Sequence, residues 1–338
     1  MKVRKIFYII CLILTLTLPS CRSEKRPVTK KALGTICTVN LFEDGSRGLY
    51  SQIFRRLSEI DSRFSVSKKN SDISKINDAA GLHPVNVHED VAEVLRYALE
   101  IAEKSGGAFD PSIGPLVRLW GINTPHAKVP TEQEIQTARS LIDYRKVHLD
   151  GNMVFLEEKG MSLDLGGIAK GYAADEIAEI LRKNSVYRAV LDLGGNVYVY
   201  GRKNDGSPWQ IGIRNPYGTS DNPAMVLSLE DSMSVVTSGV YERFFTRDGN
   251  LYHHILDPKT GAPAQRDFLS VTIVDSSSMR ADALSTTAFL LGMEKYSVTF
   301  TSPAVFINGD MSVIASKSLE GKISPADGWD ISIEFFGN

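Results

Sequence analysis

The chain has 338 residues and a net charge of −2, from 38 Lys+Arg against 40 Asp+Glu. Hydrophobic residues make up 43% and charged residues 23%, the balance of an ordinary globular protein, which excludes a disordered, collagenous or multi-span membrane chain. The near-cancelled charge offers no global positive field to nucleic acid, and three cysteines, at 11, 21 and 37, are too few for a disulfide framework.

Residues 1–20 read as a secretory leader. Lys2, Arg4 and Lys5 supply its positive start, and Ile6 to Leu18 is an apolar run of 13 residues, too short to span a bilayer comfortably. It ends in Leu18-Pro19-Ser20-Cys21, which resembles a bacterial lipobox. Cleavage there leaves Cys21 as the lipid-bearing first residue. Residues 21–30 are polar, contain a proline and read as a tether, so the expected organisation is leader, tether and one domain over 31–338.

The body alternates between helical and extended periodicity. Leu33 to Leu41 reads as a strand, and Leu49 to Phe64 as a helix with Ile53, Phe54, Leu57, Ile60 and Phe64 on one face. Asp90 to Gly106 is a second amphipathic helix. A turn-rich segment, Pro111 to Trp120, follows Gly106-Gly107. Thr131 to Leu141 opens with Thr131 and Glu134 spaced as a capping box. Val147–Leu149 and Met153–Leu156 flank Asp150-Gly151-Asn152, a hairpin signal. Met161–Leu165 reads as a strand and Ile168–Asn184 as a helix. Strands are then expected at Ala189–Tyr200, Gln210–Arg214, Met225–Leu229, Val235–Thr237 and Ser270–Val274, a helix at Ala281–Leu291 and a closing strand at Ile331–Phe336. Strands in runs, broken by helices, predict an α+β fold with mixed and antiparallel sheets.

Four stretches hold more Gly, Asp and His than packing needs. In Asp164-Leu-Gly166-Gly167-Ile-Ala-Lys170-Gly171 a strand meets a Gly-Gly turn and a helix start, whose free N–H groups favour phosphate. Lys170 sits in the first turn, where a cation is unhelpful to the helix and a ligand phosphate would explain it; a plain strand–helix turn with a surface lysine is the alternative. In His253-His254-Ile-Leu-Asp257-Pro-Lys-Thr-Gly261 the adjacent imidazoles fall on opposite strand faces, so one metal is not held by both, and the Asp-Pro end is turn chemistry. On a helix, Asp282 and Thr286 are i and i+4 and share a face. One carboxylate and one hydroxyl suit Mg²⁺, which fills its octahedron with water and substrate phosphate; helix capping by Asp282 is the bland reading. Around Phe109-Asp110-Pro111 and Trp120 the aromatics offer stacking or simple core.

Taken in order, these motifs resemble the ApbE family, the FAD:protein FMN transferases. The resemblance runs from Leu33-Gly34-Thr35 through Ile60-Asp-Ser-Arg-Phe-Ser65, Phe109-Asp-Pro111, Leu119-Trp-Gly121, Asp164 to Gly171, Asp192-Leu-Gly-Gly-Asn196, Thr237-Ser-Gly239 and His254 to Gly261, ending at Ala281-Asp-Ala-Leu-Ser-Thr286. It implies an α+β fold with FAD in a cleft and a Mg²⁺ on the Asp282 carboxylate, the Thr286 hydroxyl and backbone oxygens near Gly167 and Ser285. It implies flavin contacts at Leu33, Ser67, Phe109, Asp110, Pro111, Asp164, Lys170 and Leu256, with His254 near the site. Either His254 or Asp257 would take the proton of the acceptor hydroxyl.

The implied reaction moves FMN from FAD to a Ser or Thr of a partner and releases AMP. A Mg²⁺-dependent FAD pyrophosphatase and a non-catalytic flavin-binding lipoprotein are the alternatives; a storage protein has no need of a Lewis acid. The family's target motif is roughly [DS]-G-x-[ST], and no Asp-Gly or Ser-Gly pair here has Ser or Thr two residues on, so the chain is not expected to modify itself. The resemblance points to flavin-carrying subunits of Na⁺-pumping NADH:quinone reductase or Rnf-type complexes as acceptors, met by a lipid-anchored protein facing the periplasm.

Overall fold

In the middle of the main sheet, burial falls on both faces of each strand. The computed structural model describes residues 26–42, 47–218 and 222–337; the leader and Cys21 lie outside the described residues. A hairpin of β1 (Val28–Ala32) and β2 (Thr35–Leu41) precedes the helices α1 (Arg47–Phe64) and α2 (Asp72–Asp78). Next come β3 (Val85–Asn86), α3 (Glu89–Lys104), α4 (Gly114–Trp120), α5 (Glu132–Arg139), β4 (Val147–Asp150), β5 (Met153–Leu156) and α6 (Ala169–Lys183). A run of strands follows: β6 (Ala189–Leu193), β7 (Asn196–Tyr200), β8 (Trp209–Arg214), β9 (Pro223–Leu229), β10 (Met233–Gly239), β11 (Phe244–Arg247), β12 (Asn250–His253) and β13 (Phe268–Asp275). The chain closes with α7 (Ser278–Leu291), α8 (Met293–Thr299), β14 (Ala304–Asn308), β15 (Val313–Ser316), β16 (Ile323–Pro325) and β17 (Ile333–Phe336).

Nine strands form the main sheet in the order β1-β2-β6-β7-β10-β13-β14-β15-β17. Its neighbours pair antiparallel except β15 with β17, which are parallel. The strand period of two sends alternate residues to opposite faces. Val271, Ile273, Ala304 and Phe306 join the core beneath α1, α3, α6 and α7. Val274, Val305 and Ile307 face the other way, against Trp209, Met225 and Leu227 of a small sheet, β16-β9-β8. Helices thus cover one face and a second sheet the other, the α+β architecture that the strand runs predict. A third apolar cluster gathers Leu116, Trp120, Ile135, Ala138 and Leu256.

Most predicted elements form where their periodicity places them. The capping box is present: Glu134 N donates to Thr131 Oγ1 at 3.3 Å and Thr131 N to Glu134 Oε2 at 2.8 Å. β4 and β5 pair as the predicted hairpin. Four expectations are corrected. Leu33 and Gly34 are not strand but the turn between β1 and β2, with φ of 52° and 69°. β1 takes in residues 28–30 of the expected tether and pairs with β2. Ala189–Tyr200 is two strands, split by Gly194 and Gly195 at φ of 69° and 88°. Met161–Leu165 joins no ladder among the described residues beyond one bridge, Ser162 to Ile113. Its backbone is satisfied elsewhere: Leu163 N donates to Asn77 Oδ1 at 2.7 Å, Asn77 Nδ2 returns a bond to Leu163 O at 3.1 Å, and Asp164 N donates to Pro111 O at 2.9 Å. A strand pattern that finds side-chain partners instead of a neighbouring strand leaves the sheet.

Candidate functional site

α6 and α7 lie so close that each completes the other's first turn. The Asp175 side chain of α6 accepts from Ser278 N at 2.8 Å, Met279 N at 3.0 Å and Ser277 Oγ at 3.0 Å, at the start of α7. Asp282 of α7 accepts from Gly171 N at 2.9 Å in the first turn of α6. Amide donors at a helix start have no partner within the helix, and a carboxylate there also meets the positive end of the helix dipole. Gly171 permits the approach. A Cβ at that position would overlap the Ser278 carbonyl and lie 2.7 Å from Asp282 Cβ.

A cavity of about 490 Å³ opens above this junction. Asp282 is 3% exposed; one oxygen bonds Gly171 N and the other accepts from Lys170 Nζ at 3.2 Å. Thr286 lies one turn on, its hydroxyl 3.3 Å from Ser238 Oγ, which in turn is 2.8 Å from Ser285 Oγ. A Cβ on Gly167 would come within 3.5 Å of Thr286 Oγ1, so the Gly166-Gly167 turn and the Asp282/Thr286 face of α7 meet. Lys170, read as a phosphate partner, is here the counter-ion of Asp282.

Of the residues singled out in the sequence, Phe109, Asp110, Asp164, Gly167, Lys170, His254, Leu256, Asp282 and Thr286 line the cavity. Leu33, Ser67, Pro111, Asp257 and Ser285 do not. Ser67 lies between α1 and α2, bonded to Ser65 Oγ at 3.0 Å. Asp257 holds its own turn, accepting from Lys259 N at 2.8 Å. The Ser285 hydroxyl is buried and donates to Asp282 O at 2.9 Å. Asp110 reaches the cavity wall with both oxygens committed, to Ser112 N and Oγ and to Tyr144 N, and burial holds its carboxyl above the usual range despite those donors. Burial likewise raises Asp164, opposed by the Gly166 N–H at 2.8 Å and by Arg243. Trp120 also lines the cavity, while its ring packs against Tyr252 at 5.6 Å in the third core and its Nε1 donates to Gly261 O at 2.8 Å.

The histidine pair splits as expected of neighbours on a strand. His253 is buried, with Nε2 3.0 Å from Ala264 O. His254 faces the cavity, its N donating to Arg243 O at 3.0 Å and its Nδ1 3.3 Å from the same oxygen. A carbonyl only accepts, so this contact puts the proton on Nδ1 and leaves the Nε2 lone pair free. Burial, then the charge of Arg243, His253 and Lys170, pushes His254 down to about 3, and it is neutral at physiological pH. The unfolded imidazole titrates near 6.5, so between about pH 3 and 6.5 the unfolded chain binds more protons, and stability falls as pH falls through that window. Replacing His254 by Gln is expected to shrink the stability lost between pH 7.5 and 4.5, measured by chemical denaturation at both values.

Two cavity cations escaped the sequence reading. Arg214 lies over the Tyr241 ring at 5.2 Å with its Nε buried and unpartnered. Arg243 is exposed, and its guanidinium has no hydrogen bond or ion pair among the described residues. Neither stands in a motif that composition marks out. β11 and β12 were missed too, although Asp248-Gly249 between them is a hairpin signal.

The sequence model of the ApbE family matches residues 33–304. The chain is 39% identical over 318 residues to the FAD:protein FMN transferase of Treponema pallidum, covering 87% of this chain and 88% of that protein. It is 37% identical to a protein of the same description from Klebsiella pneumoniae, over 82% and 88% of the two chains. The ApbE protein of Thermotoga maritima superposes with a TM-score of 0.79 at 33% identity, over 88% of this chain and 98% of the other. The flavin transferase ApbE of Vibrio cholerae superposes with a TM-score of 0.76 at 28% identity, over 88% and 98%. The chain belongs to the ApbE family.

Proposed function

We propose that this chain cuts the pyrophosphate of FAD and passes FMN to a Ser or Thr hydroxyl of a partner protein. One observation carries the reading: Asp282, Thr286 and Gly167 converge with Lys170 in one cleft, beside a neutral His254 whose Nε2 is free. The donor set fits Mg²⁺. Among the described residues no group of three or more His, Cys, Asp or Glu forms a metal cage, and Mg²⁺ does not need one, because it takes one or two carboxylates and completes its shell with water and substrate phosphate. A cation already rests on the Asp282 carboxylate, in the form of Lys170. The Asp282 carboxylate, the Thr286 hydroxyl and the carbonyls near Gly167 and Ser285 would hold the ion, which supplies charge neutralisation to the phosphoryl group.

The protein's own work is positioning and proton transfer. Lys170 and Arg243 both line the cleft and would neutralise the pyrophosphate. The acceptor oxygen bonds to the FMN phosphorus, the bond from that phosphorus to the AMP oxygen breaks, and the acceptor proton passes to His254 Nε2. An anion beside His254 offsets the field of Arg243 and Lys170 and makes Nε2 more basic. His254 lines the cavity and Asp257 does not, so His254 is the better placed of the two candidate bases.

Cys21 supports a lipid anchor that would hold the domain on the periplasmic side of a membrane, where the flavin-carrying subunits of Na⁺-pumping NADH:quinone reductase or Rnf-type complexes would be acceptors. The test is incubation with FAD and Mg²⁺, with and without such a subunit, following AMP release and protein-bound flavin fluorescence. Transfer gives one protein-bound FMN per AMP. Release of free FMN and AMP alone, with several acceptors present, identifies a pyrophosphatase.

A further inference from the structure

We infer that the open edge of β11 is the docking site of the acceptor, which adds an extended segment there as a third strand. The inference rests on the transferase reading, because a protein acceptor must bring its hydroxyl to the cleft from outside.

Among the described residues β11 and β12 form a two-stranded sheet, closed by Asp248 and Gly249 at φ of 51° and 78°. Two central residues in the left-handed region make the turn that joins hairpin strands tightly. Opposed residues then alternate between bonded and unbonded pairs. The bond from His254 N to Arg243 O, at 3.0 Å, fixes the phase at the base of the hairpin. Arg247 with Asn250 and Phe245 with Tyr252 are therefore the bonded pairs, and the amides and carbonyls of Phe244 and Thr246 point outward. Phe244 and Thr246 are both exposed.

The two edges of the hairpin are not equivalent. Just beyond β12 the chain is covered: Ala264 N donates to Ile255 O at 2.9 Å, and Leu256 bridges to Pro263. The inner face is covered as well, with Phe245 and Tyr252 stacked at 5.2 Å and Tyr252 against Trp120. Among the described residues the β11 edge is left open. A row of unpaired amides and carbonyls on an exposed edge is a template for another strand, and main-chain bonds then give affinity while alternate side chains find their own contacts.

The edge leads to the chemistry. Arg243, the residue before β11, lines the cavity and its carbonyl holds His254. A segment paired along Phe244 and Thr246 and continuing past Arg243 arrives beside the free Nε2. Phe244, 46% exposed, offers the incoming strand an apolar contact. Arg247 is paired with Asp248 at 3.9 Å, whereas the exposed Arg243 guanidinium has no ion pair among the described residues and would meet an acidic side chain of the incoming segment. Recognition through backbone suits an enzyme whose acceptor must be an exposed, extended loop.

The test uses the full chain, FAD, Mg²⁺ and the acceptor subunit of the assay above. Thr246→Pro removes one outward amide at an exposed edge position, where proline is tolerated; Phe244→Asp removes the apolar contact; Thr246→Ala keeps the amide. The expected result is an acceptor KM raised at least tenfold for Thr246→Pro and Phe244→Asp, and unchanged for Thr246→Ala. FAD affinity and AMP release without acceptor should stay at the unsubstituted level in all three, which also reports that each folds. An unchanged acceptor KM in Thr246→Pro overturns the docking site while leaving the transferase reading intact. Absence of transfer by the unsubstituted chain, with AMP still released, overturns both.

Discussion

Replacing Asp282 by Asn is expected to lower FMN transfer by roughly 10²–10³-fold or more, the scale on which removing one preorganised electrostatic contact to a reacting group acts. Asn is the informative substitution because it retains an oxygen for Gly171 N, now 2.9 Å from Asp282 Oδ2, and so spares the start of α6. What disappears is the negative charge that Lys170 now neutralises and that the proposed Mg²⁺ would share. Melting temperature should move little, binding of Mn²⁺ as a Mg²⁺ analogue should be lost when followed by electron paramagnetic resonance, and FAD should still bind through the rest of the cleft. Full transfer by the Asn variant at ordinary Mg²⁺ removes Asp282 from the metal site.

The largest structural effect is expected from Gly171→Ala. The added methyl meets the Ser278 backbone and Asp282 Cβ, and neither can turn away as the end of a flexible side chain would. α6 and α7 must separate, which breaks the Gly171 amide bond to Asp282 and strains the three bonds that Asp175 accepts. Overpacking of this kind costs about 1–3 kcal/mol, to which the loosened polar contacts add. Thermal melts should show a fall of several degrees, and transfer should drop together with Mn²⁺ binding because Asp282 leaves its position beside Lys170 and Thr286. A variant that melts as the unsubstituted chain does and transfers FMN at its rate would show that the helices are not held at this distance by Gly171.

Much of the fold is written in local periodicity. α1 buries the positions named from its helical spacing, Ile53, Phe54, Leu57, Ile60 and Phe64, and α5 starts at the capping box read from Thr131 and Glu134. Asp282 and Thr286 could be placed on one helix face from spacing alone. What was not legible depends on partners far along the chain. Met161–Leu165 has a strand's pattern and is diverted by Asn77, a residue 86 positions earlier. The ion pair of Lys170 could not be read, because its partner, Asp282, lies 112 positions away. Gly171 stood inside a quoted motif, yet its reason for being glycine is the Ser278 carbonyl. Asp257 was read as a candidate base, and only the folded turn shows its carboxylate engaged by Lys259 N. β1 was hidden by its composition, since Val-Thr-Lys-Lys-Ala alternates poorly and pairs through backbone with β2.

The mutual completion of α6 and α7 also sets the order in which the protein can become active. Its bonds join residues separated by 102 to 111 positions, and contacts so distant in sequence form only after the loop between them has been closed, at an entropic cost. A chain emerging from its N-terminus has the Gly166-Gly167 turn and Lys170 long before it has Asp282, and in that interval α6 lacks a partner for its first-turn amide. The same interaction that finishes the helix delivers the carboxylate to the cleft. A partly folded chain without these contacts therefore lacks the Asp282 carboxylate at the cleft, and the phosphoryl site is complete only once the loop from α6 to α7 has closed.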